Sequence, residues 1–454
     1  MKSKKRILGI VLAVLLTALL GGCLYLDSLM PIITGYAAKN LASAVFVSGR
    51  DQADVEAKDL HFSFIKFNRN KVDYENRTVT SRFLWRKSTA QYRDGYGVTL
   101  LRGRKDPLPE GNLSFVDTIP APELAADTCG LAARLAPIAK ALVQDQAYNG
   151  TPYAFVVLHR GALAAEGYRQ GFSKDTRLLS WSMAKSVTNA AAGLLSGDGR
   201  VDINAPMDIA QWQKDGRKDI TLNNLMQMQS GLSWNEDYGS RSDVNLMLHR
   251  ETDMGLYALS KPLEYEPGTH WYYSSGSTNI VMRYLRGLFD SDEAFLGYLH
   301  DRLFAPLGIL DACFESDLSG TPVGSSYLYL TARDFARFGQ LYLDDGCIDG
   351  KRILPEGWVE YTTTPAADSQ GRYGAFFWLN RGGDYPDAPE DLFECRGHDG
   401  QEIFIIPSKE LVVAVLGYSP KPDHVIEWNR LLKDILGAVA RQCPKQRSSS
   451  SGVK

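Results

Sequence analysis

Trp181-Ser182-Met183-Ala184-Lys185-Ser186 decides the reading of this 454-residue chain. The inner four residues form a Ser-x-x-Lys tetrad. The residues that follow, Val187, Ala190, Ala191, Ala192, Leu194 and Leu195, predict a buried helix stopped by Gly197 and Gly199. If Ser182 opens that helix, Lys185 falls one turn on and on the same face. A serine hydroxyl is a weak nucleophile until a base takes its proton. A lysine amine can be that base when desolvation and positive potential lower its pKa from about 10.4. A helix N-terminus supplies such potential, and with it backbone N–H groups able to hold an oxyanion.

The tetrad alone is a common pattern. Ser63-Phe64-Ile65-Lys66 and Ser451-Gly452-Val453-Lys454 match it too. The first lies in strand-like sequence, where positions i and i+3 point to opposite faces, and the second lies in the tail. Taken singly, a helix-cap serine with a solvated lysine explains such a match. Two further pieces follow in order along the chain. The first is Tyr273-Ser274-Ser275, a Tyr-x-Ser tripeptide beside the turn Glu266-Pro267-Gly268. His398-Asp399-Gly400-Gln401 places a His-x-Gly just before a predicted hairpin strand starting at Glu402. A core tyrosine and a structural histidine are the plain explanations of each alone. The ordered conjunction outweighs them.

With these residues in place, the chain resembles the serine β-lactamase-like and penicillin-binding-protein-like hydrolases, in the branch of class C β-lactamases, esterases and 6-aminohexanoate-oligomer hydrolases. The resemblance runs from about residue 150 to 440. It takes in Ser182–Ser186, Leu225–Leu232, Glu266–Ser275, Leu307-Gly308, Thr331–Gly339, Lys351–Trp358 and Gly397–Pro407. It implies an α/β (α+β) fold in which an antiparallel sheet is flanked by helices, with an inserted, mainly helical lobe. It also implies roles. Ser182 is then the nucleophile, Lys185 its proton acceptor, and Tyr273 the relay to the leaving group and to water. The backbone N–H groups of Ser182 and Gln401 would form the oxyanion hole. Ser275, His398 and Gly400 would bind substrate. No metal or organic cofactor is implied.

Two departures bear on the substrate. Family β-lactamases usually have Asn where this chain has Ser275, and Lys where it has His398. Lysine is a fixed cation for a substrate carboxylate, whereas His is about half-charged near its unperturbed pKa of roughly 6.5. The expected activity is therefore hydrolysis of a small-molecule or short-peptide ester or amide through an acyl-enzyme. D-Ala carboxypeptidase or β-lactamase activity is the alternative among enzymes, and a non-catalytic penicillin-binding-like receptor the alternative outside them.

Working outward, Ala154–His159 and Ala162–Tyr168 flank Arg160-Gly161, a hairpin signal. Glu402–Ile406 and Leu411–Tyr418 flank a second turn. Val425, Trp428, Leu431, Leu432, Ile435, Leu436 and Val439 then recur at helical spacing. These predict one sheet built from both ends of a domain over residues 126–444. Residues 27–125 read as an extension, strand-like at His61–Phe67 and Arg77–Trp85, and a linker punctuated by Pro107, Pro109, Pro120 and Pro122. Residues 445–454 read as a disordered Ser-rich tail.

Residues 1–26 carry Lys2, Lys4, Lys5 and Arg6 ahead of an apolar run from Ile7, the pattern of a signal peptide or an uncleaved anchor. Leu20-Gly21-Gly22-Cys23 resembles a lipobox, with Cys23 the residue that would be lipidated. Either reading exports the rest of the chain and tethers it to the membrane on the periplasmic or extracytoplasmic side. The six cysteines form no Cys-x-x-Cys pair. Composition is that of a globular protein, 44% hydrophobic and 23% charged. A net charge of −3 without basic runs beyond the N-terminus argues against a nucleic-acid partner.

Overall fold

The computed structural model describes residues 2–104, 106–111, 113, 115, 123–127, 130–420 and 424–440. The tail, Cys129, Cys443 and most of the Pro-punctuated segment lie outside these. The chain forms two compact units, and the first is discontinuous: Met1–Ser114, Ser233–Lys261 and Cys313–Val323.

The first unit is organised on helix α1 (Lys2–Phe46). Its early part, from Ile7 to Tyr25, exposes its apolar side chains, and by length and composition it could cross a bilayer. Its later part turns the same apolar character inward, burying Met30, Ile33, Ala37, Ala38, Leu41 and Ala42. Against it lies a four-stranded antiparallel meander, β1 (Arg69–Asp73), β2 (Thr78–Phe83), β3 (Arg86–Arg93) and β4 (Gly97–Leu100). Lys39 of α1 forms a buried ion pair with Glu315, whose carboxylate also accepts from Ser43 Oγ at 2.8 Å and the Val98 N–H at 2.9 Å. Burial raises the Glu315 carboxyl above its usual range, and Lys39 pulls the other way.

Residues 27–46 are helical. One expectation changes here. His61–Phe67 is a turn followed by a short 3-10 segment, Ile65–Phe67, because Ser63 takes a left-handed φ of 41° that no strand accommodates. The alternating aromatics there mark an exposed surface, not a pleated core. Arg77–Trp85 does contain a strand, β2.

The second unit holds a six-stranded antiparallel sheet. Its strands are β5 (Pro152–His159), β6 (Ala162–Tyr168), β9 (Trp378–Leu379), β10 (Phe393–Gly397), β11 (Gln401–Ile406) and β12 (Leu411–Gly417), in the order β9-β10-β11-β12-β5-β6. Outside this sheet, β7 (Leu178–Leu179) pairs antiparallel with β8 (Leu328–Leu330). The two ends of the domain meet as expected, with Val413 opposite Val157 in the β12–β5 ladder. Both predicted hairpins form. At the first, Arg160 and Gly161 both take positive φ, 54° and 75°, which suits the twist of a two-residue turn.

Helices cover both faces. Phe155, Val157, Phe404 and Val413 on one face pack with Leu135 and Leu142 of α2 (Leu131–Val143) and with Leu432 and Ile435 of the C-terminal helix Trp428–Ala440. On the other face runs the helix Ala332–Leu343, and there a Cβ on Gly339 would come within 2.7 Å of Val412 and 2.8 Å of Ile403. The missing side chain lets that helix lie directly on the sheet.

The helix predicted after the tetrad is α3 (Ala184–Gly197), buried from Ala184 to Leu195. Small residues make this closeness tolerable: a Cβ on Gly193 would lie 2.7 Å from the Trp358 ring. Asn189 ties the helix to its surroundings. Its Oδ1 accepts from Tyr342 Oη at 2.6 Å and Trp358 Nε1 at 2.8 Å, and its Nδ2 donates to the Ala375 carbonyl at 2.9 Å. Asn189→Ala would orphan buried donors, so we expect a loss of about 2–3 kcal/mol. Urea unfolding checks this, as a lower midpoint with an unchanged slope.

Candidate active site

β7 delivers the chain to a 3-10 turn, Trp181–Met183, immediately before α3. Ser182 sits in that turn and Lys185 in the first turn of the helix. Trp181 has a φ of 43°, a left-handed conformation that costs a bulky residue energy and persists only where surroundings enforce it. Three contacts enforce it. Ser180 N–H donates to the Leu328 carbonyl at 2.8 Å, the Trp181 ring is buried, and its edge meets His398 at 5.7 Å between centroids.

The two tetrad residues meet as their spacing requires: Lys185 Nζ donates to Ser182 Oγ at 2.9 Å. The same amine donates to Ser275 Oγ at 3.0 Å and to the Ser325 carbonyl at 3.1 Å. It is 1% exposed, and it lies 4.9 Å from the centroid of the Tyr273 ring. Ser275 is fully buried at the start of the helix Ser275–Arg286, which Ser274 caps by accepting from the Ser277 N–H. Thus Ser182, Lys185, Tyr273 and Ser275 gather around one amine.

Tyr273 is held by aromatic packing. It stacks on Trp378 at 5.4 Å and meets Tyr373 edge-on at 5.9 Å. Behind Trp378, at 4.7 Å, lies the Arg396 guanidinium. Arg396 contacts Glu394, donates to Tyr385 Oη at 2.9 Å and lies 3.5 Å from Glu402. Burial raises the Glu394 carboxyl above its usual range, opposed by Arg396.

The β10–β11 hairpin brings the remaining predicted residues near the nucleophile's turn. A Cβ on Gly397 would fall 2.4 Å from the Ser180 carbonyl, so glycine lets this strand approach the residue two before Ser182. His398, Asp399 and Gly400 form the loop, the last two with φ of 57° and 86°. His398 is half-exposed, with Nε2 3.2 Å from Asp399 Oδ1. The Gln401 side chain is buried and clamps Gly417 from both sides, donating to its carbonyl at 2.7 Å and accepting from its N–H at 2.9 Å. This holds β11 to β12 beside the irregularity at Leu416/Gly417.

Ser325 and Trp378 were not found from the sequence. Ser325 contributes a backbone carbonyl 140 residues from Lys185, to which no side-chain motif points. Cys23 is exposed on α1 and in the first unit, away from these residues in the chain.

An antiparallel sheet covered by helices on both faces, with a Ser–Lys pair at the start of a buried helix, defines a serine-hydrolase architecture of the β-lactamase and transpeptidase type. The chain belongs to the Beta-lactamase family, whose model matches residues 137–436. It is similar to the 6-aminohexanoate-dimer hydrolase of Paenarthrobacter ureafaciens, 28% identical over 63% of this chain and 78% of that protein. Among solved structures it resembles a family VIII carboxylesterase, with a TM-score of 0.54 at 16% identity over 70% of this chain and 99% of the other. A penicillin-binding-protein homologue from Caulobacter crescentus also has a TM-score of 0.54, at 15% identity over 70% and 99% of the two chains. Both structures bear on fold alone.

Proposed function

We propose that the protein is an exported, membrane-tethered serine hydrolase that cleaves a small amide or ester through an acyl-enzyme on Ser182. The observation behind this reading is the buried Lys185 amine 2.9 Å from Ser182 Oγ. Lys185 takes the Ser182 proton as Oγ attacks the substrate carbonyl. The oxyanion so formed is held by the backbone N–H groups of Ser182 and Gln401. Its collapse expels the amine or alcohol, protonated through Tyr273. Water, losing a proton by the same route, then releases the acid and restores Ser182. Ser275 and the Ser325 carbonyl act by orienting the amine. His398 and Gly400 flank the bound acyl group.

The similarity to the 6-aminohexanoate-dimer hydrolase of Paenarthrobacter ureafaciens supports an amide substrate. The test is turnover of 6-aminohexanoate dimer, p-nitrophenyl butyrate, nitrocefin and a pentapeptide ending in D-Ala-D-Ala. Cleavage of either of the first two in preference to the others is expected. Preference for nitrocefin or release of D-Ala would overturn the substrate assignment. Absence of turnover on all four, with no acylation by a fluorophosphonate, would favour a receptor.

A further inference from the structure

One surface of the first unit presents chemistry that hydrolysis does not use. The tip of the β2–β3 hairpin is Leu84-Trp85, and each side chain is 54% exposed. Leu84 has a φ of 47°, a conformation that hairpin tips usually give to glycine or asparagine. Beside the tip, Phe83 lies 6.3 Å from Phe64, and Phe64 and Phe67 are also exposed. Just below, the outer face of the meander carries a row of cations. Arg69 is paired in register with Arg82, and Arg82 with Lys87. Like charges directly opposite one another are destabilising, and among the described residues no ion pair offsets this row. Between His61 and Lys87 the acidic residues are Asp73 and Glu75 alone.

The place of this tip along α1 identifies what faces it. Trp85 Nε1 donates to Asp27 Oδ1 at 2.7 Å, and Arg86 grips the same carboxylate through two bonds of 2.7 Å. The exposed apolar stretch of α1 ends at Tyr25, and Met30 is fully buried. Ile7–Leu26 rises about 30 Å as a helix, the thickness of bilayer hydrocarbon. With that run in a membrane, the polar boundary falls at Asp27. With Cys23 lipidated instead, it falls one turn earlier. Under both modes of tethering the hairpin tip stands at the boundary.

We propose that Phe64, Phe67, Leu84 and Trp85 form a foot that enters the membrane interface of the leaflet from which α1 emerges, with Arg69, Arg82 and Lys87 against anionic phospholipid headgroups. Trp and apolar side chains beside cations suit that zone, where a ring can be half-dehydrated and phosphates are dense. The foot fixes the height and tilt of the first unit over the bilayer, which a single helix cannot do. It rests on the membrane-tethered reading of α1.

The test uses the full chain in vesicles of phosphatidylcholine with phosphatidylglycerol, wild type beside Trp85→Phe. Flotation with the vesicles reports the tether. The emission difference between the two proteins isolates Trp85, and lipids brominated near the headgroup should lower it about twofold. Arg82→Glu with Lys87→Glu should abolish that quenching while flotation persists. Flotation without quenching of Trp85 overturns the foot and leaves the tether standing. Failure to float overturns both. Quenching that is equal in pure phosphatidylcholine and indifferent to the charge reversals overturns the headgroup contact. Circular dichroism confirms that these exposed substitutions leave the fold intact.

Discussion

Ser182→Ala is expected to lower turnover by about 10⁴-fold or more, because no bond to the acyl group can form without Oγ. Intact mass after brief exposure to a fluorophosphonate should show an adduct on wild type that maps to Ser182, and none on the variant. Stability should stay within about 1 kcal/mol, since the change removes one hydroxyl from a partly exposed turn and leaves α3 packed. That split separates chemistry from folding. Lys185 keeps Ser275 and the Ser325 carbonyl as acceptors, so its amine is not stranded when the serine hydroxyl goes. Turnover within tenfold of wild type would rule out Ser182 as the nucleophile.

The Ser182–Lys185 pair was legible because both residues lie on one helical turn, where spacing fixes proximity. The hairpins and the sheet built from both chain ends were legible for a similar reason: their strands are long apolar runs bounded by turn residues. Elsewhere, burial depends on partners far away in sequence. Glu394, Arg396 and Glu402 look like the solvent face of two strands. Register sets Arg396 opposite Glu402, and the three are sequestered together. The first unit shows the same effect. Nothing local marks Ser233–Lys261 or Cys313–Val323 as leaving the hydrolase unit, because Glu315 becomes a core residue only once Lys39 and Ser43 of α1 are beside it. The extension of α1 to Phe46 had a readable trace in Met30, Ile33, Ala37, Leu41 and Ala44, an i, i+3, i+4 series masked by the apolar run ahead of it.

Lys185→Met should reduce acylation by about 10³-fold, within the range that a positioned general base contributes. Methionine matches the length of the lysine stem and fills the buried site, so packing survives and only the amine is lost. The thermal midpoint should move by a few degrees at most: the Ser325 carbonyl loses a donor, but the cost of burying an amine is lost with it. Lys185→Arg distinguishes a base from a fixed charge. Guanidinium stays protonated throughout the working pH range and cannot accept the Ser182 proton. If the amine acts as base, the arginine variant remains as slow as the methionine one, provided its unfolding curve shows a folded protein. If a cation beside Oγ is what matters, arginine restores the rate. A methionine variant that retains a tenth of wild-type acylation would exclude Lys185 as the base and shift that role towards Tyr273, whose ring lies beside the same amine.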